Sequence, residues 1–142
     1  MHVALAFAVA FAASQAPLFN PDCTDPQSTL EMKLCTQREL DRADAELNRV
    51  YTEAIAAARE QYRSMRGEPG YEKMPDSEAM LRKAQRAWIA FRDANCDYQY
   101  QVYYGGSLAG LSYLACKSEM TKARVKELRT MMNGGEEPSP PQ

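Results

Sequence analysis

Apolar residues recur at intervals of three, four and seven along most of the chain, which is the spacing of one helix face. Three such stripes are separated by the Gly/Pro-containing segment 67–75 and by the Gly-Gly-Ser segment 105–107. No strand-like alternation is present. The pattern therefore predicts an all-α fold with three main helices in one bundle. The stripes are Leu40, Leu47, Tyr51, Ile55, Ala58, Tyr62 and Met65, then Leu81, Ala84, Trp88, Phe91, Asn95, Tyr98 and Val102, then Leu108, Leu111, Ala115, Val125, Leu128 and Met132.

Capping residues indicate where the first helix begins. Asp25 is suited to the N-cap position, and Ser28 with Glu31 fits a capping box. Thr36 with Glu39 fits a second capping box a little further along the chain. We therefore predict a short helix, a bend and then a long helix.

The other helix ends follow from turn residues. Asp76 or Ser77 caps the second helix, after the break at residues 67–75. The third helix ends at residues 133–135, which read Asn-Gly-Gly. The short connection at residues 105–107 makes the second and third helices an antiparallel helical hairpin.

The N-terminus carries the densest apolar segment of the chain. Residues 3–13 are all apolar, but this run is shorter than the roughly 20 residues that span a bilayer. We predict a signal peptide over 1–16, a helical domain over 17–133 and a disordered tail over 134–142. The alternative to the signal peptide is a buried N-terminal helix. No cysteine directly follows the apolar run, so we expect a periplasmic or secreted protein without a stable membrane anchor.

The chain has four cysteines, Cys23, Cys35, Cys96 and Cys116. An even number in a small exported chain indicates disulfides. Cys96 and Cys116 lie at similar distances from the hairpin turn, so they face each other at one height and within bridging reach. Cys23 and Cys35 then pair by elimination, which requires the segment before the first helix to fold back along it. These two bridges would staple the bundle, and without histidine or a Cys-x-x-Cys pair no metal site is expected.

Few residues are available for catalysis. The only histidine, His2, lies in the predicted signal peptide, so the mature chain lacks any Ser-His or Cys-His pair. Oxidised cysteines leave no thiolate nucleophile. The carboxylate pairs Glu136/Glu137 and Asp93/Asp97 lie in the tail and on a helix surface. We predict no catalytic residue and no cofactor, hence a protein that is not an enzyme.

The charge balance bears on the partner. The chain has 17 basic and 19 acidic residues, giving a net charge of −2. No strongly basic face is implied, so nucleic acid is not expected as a partner. A protein partner is favoured instead.

The hairpin turn is rich in tyrosine. Tyr98, Tyr100, Tyr103 and Tyr104 cannot all face one core at helical spacing. Tyr, Gly and Ser are typical of protein-binding surfaces. The alternative is that Tyr98 and Tyr103 pack on the first helix while the glycines only turn the chain. The candidate partner-binding residues are Tyr100, Tyr103, Tyr104, Gly105, Gly106 and Ser107.

Polar residues flank the apolar stripes at helical spacing and predict hydrogen bonds between helices. We expect Asp44 to pair with Arg92 or Arg124 at the edge of the core, fixing the register of the helices. The alternative is a charged binding site. The predicted structural polar network comprises Asp44, Asn48, Arg92 and Arg124, with Gln85, Trp88 and Thr121 at related positions.

Four segments together resemble a known family. They are C-x8-D-A-E-L-N-x2-Y over residues 35–51, Q-R-A-W-x3-R-D-x2-C over 85–96, Gly-Gly-Ser at 105–107, and C-x4-T-x2-R-x3-L over 116–128. Their order and spacing resemble the LprI-like lysozyme-inhibitor family. The resemblance implies a small exported helical domain with cysteine bridges and, for the founding member, inhibition of lysozyme. It supplies no catalytic residue.

These observations favour an exported protein-binding module that inhibits lysozyme or a related cell-wall lytic enzyme. In this hypothesis the Tyr/Gly/Ser turn enters the substrate cleft of the enzyme. The second hypothesis is an accessory or structural envelope protein with a different protein partner and no inhibitory activity. The third is an enzyme that uses carboxylates, acting on peptidoglycan.

Overall fold

A computed structural model describes residues 20–135 as an up-down-up bundle of three helices. Helix α1 spans Thr29–Met65, α2 spans Ser77–Val102, and α3 spans Ala109–Met132. The predicted all-α, three-helix fold is therefore confirmed. The predicted signal peptide and residues 136–142 of the predicted tail lie outside the described residues.

Helix α1 begins later than Asp25 and continues without a bend. Ser28 is its N-cap, and the Ser28 hydroxyl accepts from the Glu31 N–H while the Glu31 carboxylate accepts from the Ser28 N–H. The predicted start at Asp25 and the predicted bend near Thr36 are thus both wrong. The buried face of α1 runs from Cys35 to Ile55, and continuous burial of one face outweighs a local capping motif inside it.

The connection between α1 and α2 ends at Asp76, the first of the two predicted caps. Its carboxylate accepts from the Ala79 N–H at 3.1 Å. In the first turn of α2, Glu78 accepts from Arg59 of α1 at 2.6 Å and from Arg82 of α2 at 2.7 Å. These bonds join the start of α2 to the second half of α1.

The hydrophobic core lies mainly between α1 and α3. Its fully packed members are Leu47, Val50 and Ala54 from α1 with Val125 and Leu128 from α3. Around this cluster pack four partly buried side chains, Tyr51, Leu81, Trp88 and Met132. Most of the predicted α1 stripe thus faces inward.

The predicted apolar stripe of α2 faces the core only in part. Leu81 and Trp88 pack on the cluster, but Phe91, Tyr98 and Val102 are 61%, 68% and 56% exposed. The buried residues of α2 are Gln85, Arg92 and Cys96. Hydrophobicity alone placed the exposed members of the stripe in the core because two of the residues that do face the bundle, Gln85 and Arg92, are polar and find partners there. Ala84 of the predicted stripe is likewise exposed, as is Leu108, which precedes α3.

Two disulfides staple the bundle, with both predicted pairings confirmed. Cys96 and Cys116 join α2 to α3 with their Cα atoms 5.6 Å apart, and Cys23 and Cys35 have a Cα–Cα distance of 5.5 Å. The segment before α1 folds back as the second pairing requires. Arg38 holds it there, donating to Asn20 Oδ1 at 2.7 Å and to the Pro21 carbonyl at 3.4 Å.

Candidate functional site

The last five residues of α2 and its connection to α3, residues 98–108 together, form an ordered tip at one end of the bundle. The N–H groups of Tyr103 and Tyr104 donate to the last carbonyls of α2, and the Gly106 N–H donates to the Tyr103 carbonyl at 2.9 Å. Gly105 has a φ of +80°, a backbone conformation that residues other than glycine rarely adopt. A Cβ on Gly106 would lie 3.2 Å from the Tyr103 carbonyl oxygen. The two glycines therefore permit this tight turn.

The tyrosines of the tip are exposed. Tyr98, Tyr103 and Tyr104 are 68%, 47% and 73% exposed, and Tyr100 is 38% exposed. The alternative in which Tyr98 and Tyr103 pack on the first helix is therefore wrong. The rings of Tyr100 and Tyr104 meet edge to face with centroids 6.2 Å apart, an arrangement that aromatic pairs favour. This pair gives the tip a defined surface of large, amphipathic side chains.

No charged residue occurs in the chain from Tyr98 to Cys116. Asp97 and Lys117 mark the two ends of this uncharged segment. Its exposed part presents phenol hydroxyls, the amides of Gln99 and Gln101, and backbone groups of the glycine turn. Such a surface offers neutral donors and acceptors beside aromatic rings, without a charge to desolvate on binding.

Several contacts hold the tip in place where it joins the body of the bundle. The Cys96–Cys116 disulfide crosses from α2 to α3, and Asn95 Nδ2 lies 3.3 Å from Met120 Sδ and 3.6 Å from Cys116 Sγ. From α1, the Lys33 side chain packs so closely on Gly110 that a Cβ there would lie 3.2 Å from Lys33 Cε. The start of α1 therefore lies at the same end of the bundle as the tip.

A polar cluster lies deeper in the bundle, centred on Arg92 of α2. Its guanidinium donates to Asp44 of α1 at 3.1 Å, to Thr121 of α3 at 3.0 Å and to its neighbour Asp93 at 2.9 Å. Of the two partners predicted for Asp44, the structure has Arg92. The Arg92 guanidinium also lies 5.2 Å from the centre of the Trp88 ring.

Arg124 of α3 forms the other half of this cluster. It donates to Gln85 at 3.0 Å and to Glu127 at 2.7 Å, and its guanidinium lies 5.8 Å from the same Trp88 ring. The buried guanidinium groups of Arg92 and Arg124 thus both contact the indole ring of Trp88. Asn48, predicted as a member, is exposed on α1, and its backbone carbonyl accepts from Thr52. The prediction for Asn48 is therefore wrong, since it lies on the outer side of α1.

Sequence reasoning missed the ion pairs that Asp93 forms in this region. Asp93 accepts from Arg92 and lies 3.0 Å from Lys117 Nζ of α3. Burial opposes charge on both groups, but the hydrogen bonds from Lys117 and Arg92 outweigh it and lower the pKa of Asp93. Burial is likewise outweighed at Lys117, whose pKa is raised by its bonds to Asp93 and Tyr113. The position of Asp93 directly after Arg92 signals their contact, whereas nothing in the sequence of α2 signals the contact with Lys117 of α3.

The cluster satisfies its charges internally. Arg92, Arg124 and Lys117 each have a carboxylate partner, namely Asp44 and Asp93, Glu127, and Asp93 in turn. Asp93 and Asp97 do not form a facing carboxylate pair, because Asp97 is exposed on the surface of α2. The arrangement therefore fits a register-fixing network, and the exposed tip is the better candidate for binding a partner.

Two further observations concern the described part of the chain. Within residues 20–135, His, Cys, Asp and Glu side chains do not come together in groups of three that could hold a metal ion. None of the three helices carries an apolar stretch long enough to cross a bilayer.

Comparison with known proteins places the chain in a family. The profile of the family described as "Lysozyme inhibitor LprI" matches residues 22–128. "Uncharacterized protein R02472" of Rhizobium meliloti (strain 1021) is 34% identical over 116 residues, which cover 82% of each chain. "Uncharacterized protein YecT" of Escherichia coli (strain K12) is 32% identical over 113 residues, 72% of this chain and 63% of that relative. No solved structure gives a significant match. The matched segment contains the four cysteines, the polar cluster and the tip. The chain therefore belongs to the LprI lysozyme-inhibitor family.

Proposed function

We propose that this protein is an exported, non-catalytic inhibitor of lysozyme or a related cell-wall lytic enzyme, and that the tip is its binding element. The single observation that carries the choice of surface is the exposure of Tyr103 and Tyr104 on an uncharged turn above the Cys96–Cys116 disulfide. Family membership supplies the class of target. Two disulfides fit export, because such bonds form and persist in oxidising compartments such as the periplasm or the cell exterior.

The chemistry of the tip suits the cleft of a glycoside hydrolase. Such a cleft binds a chain of sugars and holds two catalytic carboxyl groups. Tyrosine hydroxyls and backbone N–H groups can donate to those carboxyl groups, while the aromatic rings cover the surface on which sugars would lie. A tip inserted in this way excludes the substrate without taking part in any reaction.

The disulfide below the tip favours tight binding. A flexible turn would lose conformational entropy when it enters a cleft, at roughly 0.5–1.5 kcal/mol per immobilised side chain. The Cys96–Cys116 bridge, the bonds across residues 100–106 and the Tyr100–Tyr104 ring contact order this turn in the free protein. Part of the entropy cost is therefore met during folding.

A lysis assay tests the proposal. The purified oxidised protein should slow the lysis of bacterial cell walls by at least one of several lysozyme types. Tyr104→Ser should weaken inhibition by about tenfold, the effect of losing roughly 1.4 kcal/mol at an aromatic contact. Tyr71→Ser is the matched control, because Tyr71 is also exposed, at 43%, but lies in the connection between α1 and α2.

The outcomes separate the parts of the proposal. No slowing by any lysozyme type at about 100 µM, where a micromolar complex would be saturated, contradicts the inhibitory function and favours an accessory envelope protein. If the protein inhibits lysozyme and Tyr104→Ser leaves this inhibition unchanged, the inhibitory function stands but the binding surface lies outside the tip.

A further inference from the structure

Helix α2 carries a second apolar face, and this face is exposed. Successive members are three, four or seven residues apart, so they form one stripe along the helix. At about 1.5 Å per residue the stripe is about 33 Å long, and at about 100° per residue it lies more than a third of a turn away from the buried residues of α2. Its large members are 56–68% exposed. The stripe comprises Met80, Ala84, Phe91, Ala94, Tyr98 and Val102.

Four members of the stripe are placed symmetrically about Phe91, whereas Ala94 has no counterpart within it. Met80 and Val102 are equally distant from Phe91 in sequence, and so are Ala84 and Tyr98. If two α2 helices pack antiparallel about a two-fold axis at Phe91, each Tyr98 ring lies opposite the small Ala84 of the other copy. Large side chains then fit beside small ones, as close packing requires.

The charges beside the stripe are also self-complementary. Lys83 and Arg86 precede Phe91, Asp97 follows it, and helical geometry places all three along the same edge of the stripe. In the antiparallel pair this edge faces the same edge of the second copy, so Asp97 of one copy lies near Arg86 of the other. Within residues 20–135, none of the three forms an ion pair or a side-chain hydrogen bond. These three side chains are therefore available to form ion pairs with a second molecule.

We propose that a second copy of this chain covers the exposed face of α2, giving a symmetric dimer centred on Phe91. Such isologous two-fold dimers are the commonest form of protein oligomer. The antiparallel arrangement places the two tips at opposite ends of the paired α2 helices, pointing away from each other. The dimer does not depend on the function proposed for the tip. The stripe shares Tyr98 and Val102 with the tip but leaves Tyr103, Tyr104 and the glycine turn free.

The mass of the full-length mature protein in solution tests the dimer. Sedimentation or light scattering at up to about 100 µM, roughly a hundred times a micromolar dissociation constant, should show a dimer. Phe91→Glu places two like charges at the two-fold axis and should raise the dissociation constant at least a hundredfold. Ile89→Glu is the matched control: Ile89 is an apolar residue of α2, 40% exposed, and lies on a different face. It should leave the dimer intact.

A charge swap gives a second, independent test. Arg86→Glu and Asp97→Arg should each weaken the dimer severalfold, and the double variant should restore it, because the swapped charges again face each other. Circular dichroism of each variant shows that the helices are intact. If Phe91→Glu does not fold, the charge swap decides the question.

Three results would overturn the proposal. They are a monomer throughout the concentration range, equal effects of Phe91→Glu and Ile89→Glu, and a double charge variant that is no tighter than either single one. A dimer that only tip substitutions dissociate would likewise show that another surface, not the α2 stripe, joins the copies.

Discussion

Arg92 of α2 reaches Asp44 of α1 with a guanidinium nitrogen that lies 3.1 Å from the carboxylate oxygen. The same nitrogen donates to Thr121 of α3 at 3.0 Å. One nitrogen atom therefore joins all three helices. Because a shift of any helix by one turn would break at least one of these bonds, this contact sets the register of the bundle.

Removing the carboxylate tests this relationship. Asp44→Ala should lower the free energy of unfolding by about 1 kcal/mol, because buried Arg92 then keeps Asp93 and Thr121 but loses one acceptor. The corresponding fall in Tm is about 4 °C for a domain of this size. Thermal unfolding followed by circular dichroism measures it. Asp41→Ala, at an exposed position one turn earlier in α1, should have an effect within about 0.5 kcal/mol of zero. Equal effects for the two variants would argue against a register-fixing role.

Ser118 offers the opposite test. It is 1% exposed, and its hydroxyl has no hydrogen-bond partner in the described part of the protein. Ser118→Ala should therefore raise the free energy of unfolding by about 0.5–1 kcal/mol, since burying an unpaired hydroxyl is unfavourable. Chemical denaturation provides the measurement. Ser112→Ala serves for comparison: it removes a bond to the Ala109 carbonyl at 2.9 Å and should lower stability slightly. Destabilisation by Ser118→Ala would show that the hydroxyl is paired after all.

The two disulfides should contribute similarly to stability but differently to inhibition. Replacing either pair by alanine should cost about 3 kcal/mol, given the short loops that they close. Only Cys96→Ala/Cys116→Ala should also weaken inhibition of the target enzyme, because that bridge lies directly below the tip. Unfolding curves and lysis assays below the unfolding transition separate the two effects. If Cys23→Ala/Cys35→Ala weakens inhibition equally, the binding surface extends to the start of α1.

Acid should loosen the contact between α1 and α2. Hydrogen bonds from Arg59 and Arg82 lower the pKa of Glu78 from 4.5 to about 2. Because the folded pKa lies below the unfolded one, the stabilisation is complete above about pH 4.5 and is lost as the pH falls towards 2. Glu78→Gln should lower stability at pH 7 and flatten the loss of stability between pH 4.5 and 2.

Urea unfolding at a series of pH values measures this effect. Glu60→Gln is the control, because Glu60 is exposed on α1 and lies outside the Arg59–Glu78–Arg82 contact. It should leave the pH profile unchanged. A Glu78→Gln profile that parallels the profile of the unsubstituted protein would contradict the assignment.

The sequence was sufficient for the helices and the disulfides because both depend on spacing. Periodic apolar positions located α1 and α3, and the equal distances of Cys96 and Cys116 from the turn predicted their bridge. The bend near Thr36 was wrong because a capping motif is a local signal, whereas the uninterrupted burial from Cys35 to Ile55 involves the whole bundle.

The orientation of α2 could not be predicted from hydrophobicity. Its inward face carries Gln85 and Arg92, whose burial is compensated by Arg124, Asp44 and Thr121 on the other helices. These partners are far away in sequence, so a pattern within α2 alone gives no sign of them. Four members of the predicted repeat, Ala84, Phe91, Tyr98 and Val102, lie instead on the surface that we assign to the dimer.

The bridges and the apolar cluster stabilise different halves of the molecule. Cys35 and Cys116 lie towards the tip, whereas Val50 and Leu128 lie in the half beyond the Arg92 contact. Reduction of the two bridges should therefore loosen the end of the bundle that carries the tip more than the half that contains Val50 and Leu128.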